Sequence, residues 1–359
     1  MIPVTKTFLP PLEEYTAQVS RAFQNEWLTN RGELVLELES KLKTYLGVSN
    51  ILIMNNGTIP IQIAVKLLGG GGEIITTPFS YVATTSSIVW ENCTPVFVDI
   101  DPVHLTIDET KIEAAITSRT TCILATHVYG NPCNVEVIGD IAKRHNLKVI
   151  YDAAHCFGVK YKGRSIFEYG DISTCSFHAT KVFQTGEGGA AFCEDEELRK
   201  RIFYSHNFGH NGPLDFHGLG INGKISELQA AMGLAVYPYM DKIFSGRKRA
   251  VDQYNSSLDF KVLQTMALRD GTDWNFSYYP IILDTESIML RLETALKENG
   301  IVPRRYFYPA LNTINYIQQA GNTPIAADIA SRILCLPLYA DLGESDCDRI
   351  CDIISKILQ

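Results

Sequence analysis

This chain has no apolar run approaching the roughly 18 residues that a membrane helix needs, and its mean hydropathy is zero. A membrane-spanning role is therefore not expected. The opening "MIPVTKTFLPPLEEY" lacks an apolar core behind basic residues, so no signal peptide is expected there. Clustered Lys and Arg are absent as well, and the net charge is −8, which disfavours nucleic acid or an anionic membrane surface as partner. The nine cysteines form no C-x-x-C pair and sit in apolar contexts such as "TCILATHVYG". They read as reduced core thiols of a cytoplasmic protein. H-E-x-x-H is missing too. Seven of eight histidines fall between residues 127 and 217, and His206 and His210 have helical spacing, but Gly209 and Gly212 oppose a helix there. A metalloenzyme is the disfavoured reading, and no metal is expected.

What the chain has is alternation. From about residue 50 to 195, short β-rich runs ("ILIMNN", "EIITTP", "PVFVDI", "TCILATHVY", "LKVIYDAA", "DISTCSF", "GGAAFC") alternate with helical patterns. "TIPIQIAVKLL", "YVATTSSIVWEN", "DETKIEAAI" and "VEVIGDIAKRH" are the helical ones. This predicts an α/β domain with a mostly parallel sheet covered on both faces. A long helical pattern over 225–254 is expected to break near Pro238. Beyond it, "SYYPIIL", "LKENGIVPRRYFYP" and "ILCLPLY" suggest strands of a smaller α+β domain closed by a final helix. The expected division is 1–240 for the large domain and 241–359 for the small one. Gly69 to Gly72 reads as a turn.

Ligands of such sheets collect at the carboxyl ends of the strands. "MNNGTIP" ends one strand and opens a helix at Gly57–Thr58, either as a simple cap or as an anion site. "VIYDAAH" places Asp152 at a strand end with His155 just beyond. Asp152 is either a cap or a carboxylate facing a crevice. Phe79 and Tyr81 in "FSY" are either core or the cover of a flat ring. Lys181 lies in "SFHATKVFQTGEGGAAF", a small-residue loop between two strands. An amine attacks carbonyls only when unprotonated, and such a loop suits that better than a solvated surface does. Ser176 and His178 stand just upstream. An anion cup, a ring cover, a carboxylate and an imine-forming lysine are together the parts of a pyridoxal 5′-phosphate site.

Along nearly its whole length the sequence resembles the DegT/DnrJ/EryC1/StrS sugar aminotransferases, of aspartate-aminotransferase fold. The likeness runs through "NNGT", "TTPFSYVATTSSIVW", "YDAAHCFG", "SFHATKVFQTGEGGA" and "LGINGKISELQAAMG". The resemblance implies pyridoxal 5′-phosphate as cofactor, with Lys181 as the imine-forming lysine and proton shuttle and Asp152 as the partner of the ring nitrogen. It puts His155 near the phenolic oxygen, Gly57, Thr58 and Ser176 in the phosphate cup, and Tyr81 against the ring. Asn222 would reach the phosphate of a neighbouring subunit, which implies a homodimer with shared sites. Trp27 and Thr29 in "WLTNRGE", His178, and Tyr308 in "YFYPALNT" would meet the sugar nucleotide. Lys224 stands where many relatives carry Arg. A branch of the family that dehydrates has His at the position of Lys181, so lysine favours transamination. The implied substrates are L-glutamate and a nucleotide-linked keto-6-deoxyhexose, with dTDP and C4 amination preferred over C3 amination or a UDP- or GDP-sugar. Arg304 and Arg305 in "VPRRYFYP" read as a basic strand end near the substrate mouth rather than as the carboxylate clamp of an amino-acid transaminase.

Overall fold

A computed structural model describes residues 1–317 and 321–358. Its centre is a seven-stranded sheet. The strands are β1 (Ile51–Met54), β2 (Glu73–Thr76), β3 (Thr94–Phe97), β4 (Thr120–Thr126), β5 (Lys148–Asp152), β6 (Ile172–Ser176) and β7 (Gly189–Phe192). Their spatial order is β1-β7-β6-β5-β4-β2-β3. All neighbours run parallel except β7, which is antiparallel to both β1 and β6.

Successive residues of each strand enter different cores. Ile123, Ala125, Val149 and Tyr151 face one cluster, whereas Cys122, Leu124 and Ile150 face the other. A sheet buried on both faces needs such near-continuous apolar strands. Helices α1 (Leu12–Gln24), α2 (Glu33–Leu46), α3 (Thr58–Leu68), α4 (Val82–Trp90), α5 (Val135–His145), α6 (Glu196–Ser205), α7 (Glu227–Val236) and α8 (Met240–Ser257) complete this part. In α3, Ile61, Ala64 and Val65 are buried, the i, i+3, i+4 spacing of one helical stripe. Burial of each large aliphatic side chain there contributes about 1.5–3 kcal/mol.

Two sequence expectations are revised. "DETKIEAAI" forms two three-residue 3-10 turns, Glu109–Lys111 and Glu113–Ala115, not a helix. Asp108 accepts from the Thr110 amide and tightens the first turn, and Ile116 is already extended. "LKENGIVPRRYFYP" supplies the end of helix Glu286–Glu298 and only a two-residue strand, Ile301–Val302, because Pro303 has no N–H to continue a ladder.

The 225–254 pattern divides into α7 and α8 around the 3-10 turn Tyr237–Tyr239, which contains Pro238. The expected division at residue 240 meets the first residue of α8. Met240 and Ile243 pack in the large core, while Ala250, Val251 and Tyr254 pack in a second core with Leu292, Leu336 and Ile350. That second core also holds Ile2, and Ile2–Pro3 pairs in parallel with Ile301–Val302, so the first residues join the C-terminal unit. A third cluster sets Phe79 and Tyr129 against Tyr278 and Phe307 and ties the two units together.

Candidate active site

At the carboxyl ends of β5 and β6 lies a cavity of about 270 Å³. Gly57, Thr58, Tyr81, Asp152, His155, Ser176, His178 and Lys181 all line it. They come from separate stretches of sequence, and the sheet brings them together.

The loop from Phe177 to Gly188 explains the position of Lys181. The Phe177 amide donates to Gly188 (2.8 Å), Ala179 to Gly186 (2.8 Å), Lys181 to His178 (2.8 Å) and Thr185 to Phe177 (2.9 Å). These bonds close the loop and aim the lysine at the cavity. Its Nζ lies 3.5 Å from the Tyr278 hydroxyl. Surrounding protein lowers the Lys181 pKa, against the opposing pull of Tyr306 and Asp152. The amine is thus nearer its nucleophilic form than a surface lysine.

Asp152 ends β5, in register with Thr126 of β4 and Thr174 of β6. Thr84 Oγ1 donates to its Oδ2 at 2.6 Å, and the Ala154 amide donates to Oδ1 at 3.1 Å. Ser80 links Thr84 (2.8 Å) and Thr126 (3.0 Å), which extends the hydroxyl network. Burial still raises the carboxyl pKa, because these donors only partly replace water. A cationic partner would favour its ionised form.

His155 is buried, and burial drives its pKa well below the ordinary histidine value. Its Nδ1 accepts the Tyr129 amide at 3.1 Å, so the neutral ring carries its proton on Nε2. At the start of α3, Asn56 Oδ1 accepts from the amides of Thr58 and Ile59, both at 2.9 Å. A Cβ on Gly57 would meet Ser176 Cβ at 2.7 Å, so glycine is needed for the helix to approach β6 this closely. Thr58 and Ser176 line the cavity beside that contact. Tyr81 is half exposed at the head of α4.

Other expected residues lie elsewhere. Trp27 and Thr29 are exposed on the turn between α1 and α2, and Trp27 lines a separate shallow pocket with Arg31 and Glu227. Tyr308 is exposed, and the Arg305 guanidinium lies 3.5 Å from its ring centroid. Its neighbours Tyr306 and Phe307 line the cavity instead. Asn222 is exposed and outside the cavity lining of its own chain, although its carbonyl accepts from Asn55 Nδ2 at 3.4 Å. Lys224 donates to Asn207 Oδ1 at 2.8 Å. The two arginines diverge. Arg304 lines the cavity, whereas Arg305 pairs with Glu286 (2.7 Å) and the Ser331 carbonyl (2.7 Å).

Sequence reasoning missed Thr84, Tyr278, Tyr306 and Glu187. For Thr84 a signal existed: four consecutive hydroxyl residues, Thr84 to Ser87, in one short helix are a costly choice when buried unless they have partners. The tyrosines carried none, since the strands beside them are only four and two residues long.

Comparison with known proteins gives the arrangement a family. The model of the DegT/DnrJ/EryC1/StrS aminotransferase family matches residues 12–355. A Shigella dysenteriae protein named dTDP-4-amino-4,6-dideoxy-D-glucose transaminase is 43% identical, over 99% of this chain and 98% of its own length. An Escherichia coli protein of the same name is 40% identical, over 96% and 95%. The crystal structure of DesI in the presence of its TDP-sugar product superposes with a TM-score of 0.94 at 30% identity, over 100% of this chain and 93% of that one. The chain belongs to the DegT/DnrJ/EryC1/StrS aminotransferase family.

Proposed function

We propose that this protein is a pyridoxal 5′-phosphate-dependent aminotransferase. It transfers the amino group of L-glutamate to C4 of dTDP-4-dehydro-6-deoxy-D-glucose. The observation that carries this reading is the convergence of Lys181 and Asp152 in one cavity, an amine whose pKa burial lowers and a carboxyl whose pKa burial raises. The full-length likeness to the two transaminases supports the substrate.

The residues present fit the cofactor. Gly57, Thr58 and Ser176 line the cavity at a helix start, where the helix dipole favours an anion such as a phosphate. Asp152 would face the ring nitrogen, Nε2–H of His155 would donate to the ring oxygen, and Tyr81 would cover the ring. When bound, the cofactor supplies a carbonyl carbon to carry the amino group and a ring to accept electrons. Asp152 would keep the ring nitrogen protonated, and Lys181 Nζ would take the proton from Cα of glutamate and, in the second half-reaction, deliver a proton to C4 of the sugar. The hydroxyls of Thr84, Ser80 and Thr126 hold Asp152 in place.

We further propose a homodimer in which Asn222 serves the partner's phosphate cup, with Trp27 and Thr29 towards the sugar nucleotide. Phe208, Phe216 and Leu219 are exposed on the same loop as Asn222, an apolar surface suited to a second copy. Mixing Lys181→Ala with an impaired Asn222→Ala under subunit exchange should restore activity through one intact site per hybrid dimer. Verified exchange without recovery rejects the shared site. We place the enzyme in the cytoplasm, where its nine buried cysteines stay as thiols.

The test of the reaction is incubation with glutamate and dTDP-, UDP- and GDP-linked keto-6-deoxyhexoses, followed by NMR of the product. A C4 amine on the dTDP-sugar is expected. A C3 amine, or preference for another nucleotide, overturns the substrate. No amine on any sugar overturns the reaction.

A further inference from the structure

We propose that Glu187 determines sugar specificity, by accepting a hydrogen bond from a hydroxyl of the keto-sugar. The inference deepens the reading above and rests on it. Glu187 lines the Lys181 cavity, yet its side chain is 60% exposed and so open to a ligand.

It is held more firmly than a surface glutamate. Its carbonyl accepts from Thr185 Oγ1 and from Gln229 Nε2, both at 2.8 Å. Gln229 also reaches the Asn55 carbonyl at 3.5 Å, and its Oε1 accepts from the Ser226 amide and hydroxyl. One side chain therefore pins the Glu187 loop to the anion cup and to the head of α7. The glycines after Glu187 make the same point. A Cβ on Gly188 would lie 2.0 Å from Thr185 Oγ1, and one on Gly189 would lie 2.3 Å from the Asn56 carbonyl oxygen. The "GEGG" and "SELQ" stretches thus build one clamp around one acidic residue.

The side chain is oriented too. His178 Nδ1 accepts the Thr180 amide at 3.3 Å, which leaves the ring proton on Nε2, and Nε2 lies 3.6 Å from Glu187 Oε1. Among the described residues, His178 is the one basic side chain within 4.0 Å of the Glu187 carboxylate. The second carboxylate oxygen is left to accept from a ligand. A carboxylate fixed at a cavity mouth repels the two carboxylates of an amino donor and favours a neutral polyol. A sugar presents hydroxyl donors, whereas its diphosphate would seek a cation such as Arg304.

Glu187→Gln keeps the size and removes the charge-assisted acceptor. The holoenzyme is titrated by calorimetry with dTDP and with dTDP-glucose, which carries sugar hydroxyls but no reactive carbonyl or amine. The variant should lose about tenfold to a hundredfold in dTDP-glucose affinity, as expected for a hydrogen bond to a charged group, with dTDP affinity unchanged. Glu187→Asp, which keeps the charge, should fall between. The glutamate half-reaction should slow by much less than the sugar affinity falls. Equal loss in both would assign Glu187 to the donor's ammonium and overturn the proposal. So would unchanged affinity in both variants. Wild-type holoenzyme that binds neither dTDP nor dTDP-glucose would overturn the nucleotide-sugar reading, and this inference with it.

Discussion

The cavity has two unlike halves. The sheet half brings Asp152, His155, Ser176 and Lys181, groups that ionise or donate protons in hydrogen bonds. The C-terminal half brings Tyr278, Arg304, Tyr306 and Phe307, three of them aromatic. Tyr278 packs 4.7 Å from the His155 ring and 5.3 Å from Tyr306. In the proposed reaction the sheet half supplies the groups that react and the C-terminal half closes over them, while burial lowers the Lys181 pKa. All eight histidines also lie before residue 218, in the large unit.

Damage to the reacting half should cost most. Lys181→Ala should reduce turnover by at least about a thousandfold, since among the described residues no other lysine lines the cavity to move the proton. The variant should still retain cofactor, because the phosphate cup and Asp152 remain; absorbance of the dialysed protein checks this. Turnover near the wild-type rate would remove Lys181 from the mechanism. Asp152→Asn keeps the shape but cannot hold a positive ring nitrogen. The glutamate half-reaction, followed by stopped flow, should slow by at least about a hundredfold.

Acid should act on the same half. Burial lowers the pKa of His127 to about 3 and of His206 to about 4, and that of His155 well below its ordinary value. The unfolded chain binds protons on these rings below pH about 6.5, and the folded chain does not. Stability is therefore full above that pH and falls as pH drops towards the folded values. Between pH 6.5 and 5, each ring costs about 2 kcal/mol. Asp152 acts in the opposite sense, because its pKa is raised and its folded form takes up a proton first. Urea melts of His206→Gln at pH 7 and pH 5 should show the difference between the two pH values shrink by about 2 kcal/mol. An unchanged difference would mean that His206 is not neutral in the fold.

Legibility in the sequence followed the same divide. The βα alternation is written in apolar runs and punctuation, so β1 to β7 and the strand-end residues Asp152 and Lys181 were readable. Thr84 was not assigned, because its role depends on how α4 packs over β5, some 68 positions away in sequence. Thr84→Val should slow turnover about tenfold or more, by removing a hydrogen bond to a charged group. The aromatic wall was illegible for another reason. Tyr278 precedes a four-residue strand, and Tyr306 follows a strand of two residues. Neither piece has enough periodicity to show which face its side chains take.

Tyr278 is where the two halves touch, and it sharpens the comparison most finely. Its hydroxyl is the hydrogen-bond partner of Lys181 Nζ, at 3.5 Å, and burial pushes its own pKa up, so it stays neutral at working pH. A neutral hydroxyl can accept from an ammonium and steady it. Tyr278→Phe removes that acceptor while the ring keeps packing against His155. This hydrogen bond is neutral whenever Lys181 is the free amine, and its loss should cost about threefold to tenfold in kcat. The ammonium form of Lys181 loses support, so its pKa should fall further and the acid limb of the pH–rate profile should move to lower pH. A wall that only excludes water predicts otherwise: the ring remains, so kcat and the acid limb would both stay put. The pH–rate profile of the variant against that of the wild type decides whether the C-terminal half merely covers the reacting groups or also tunes one of them.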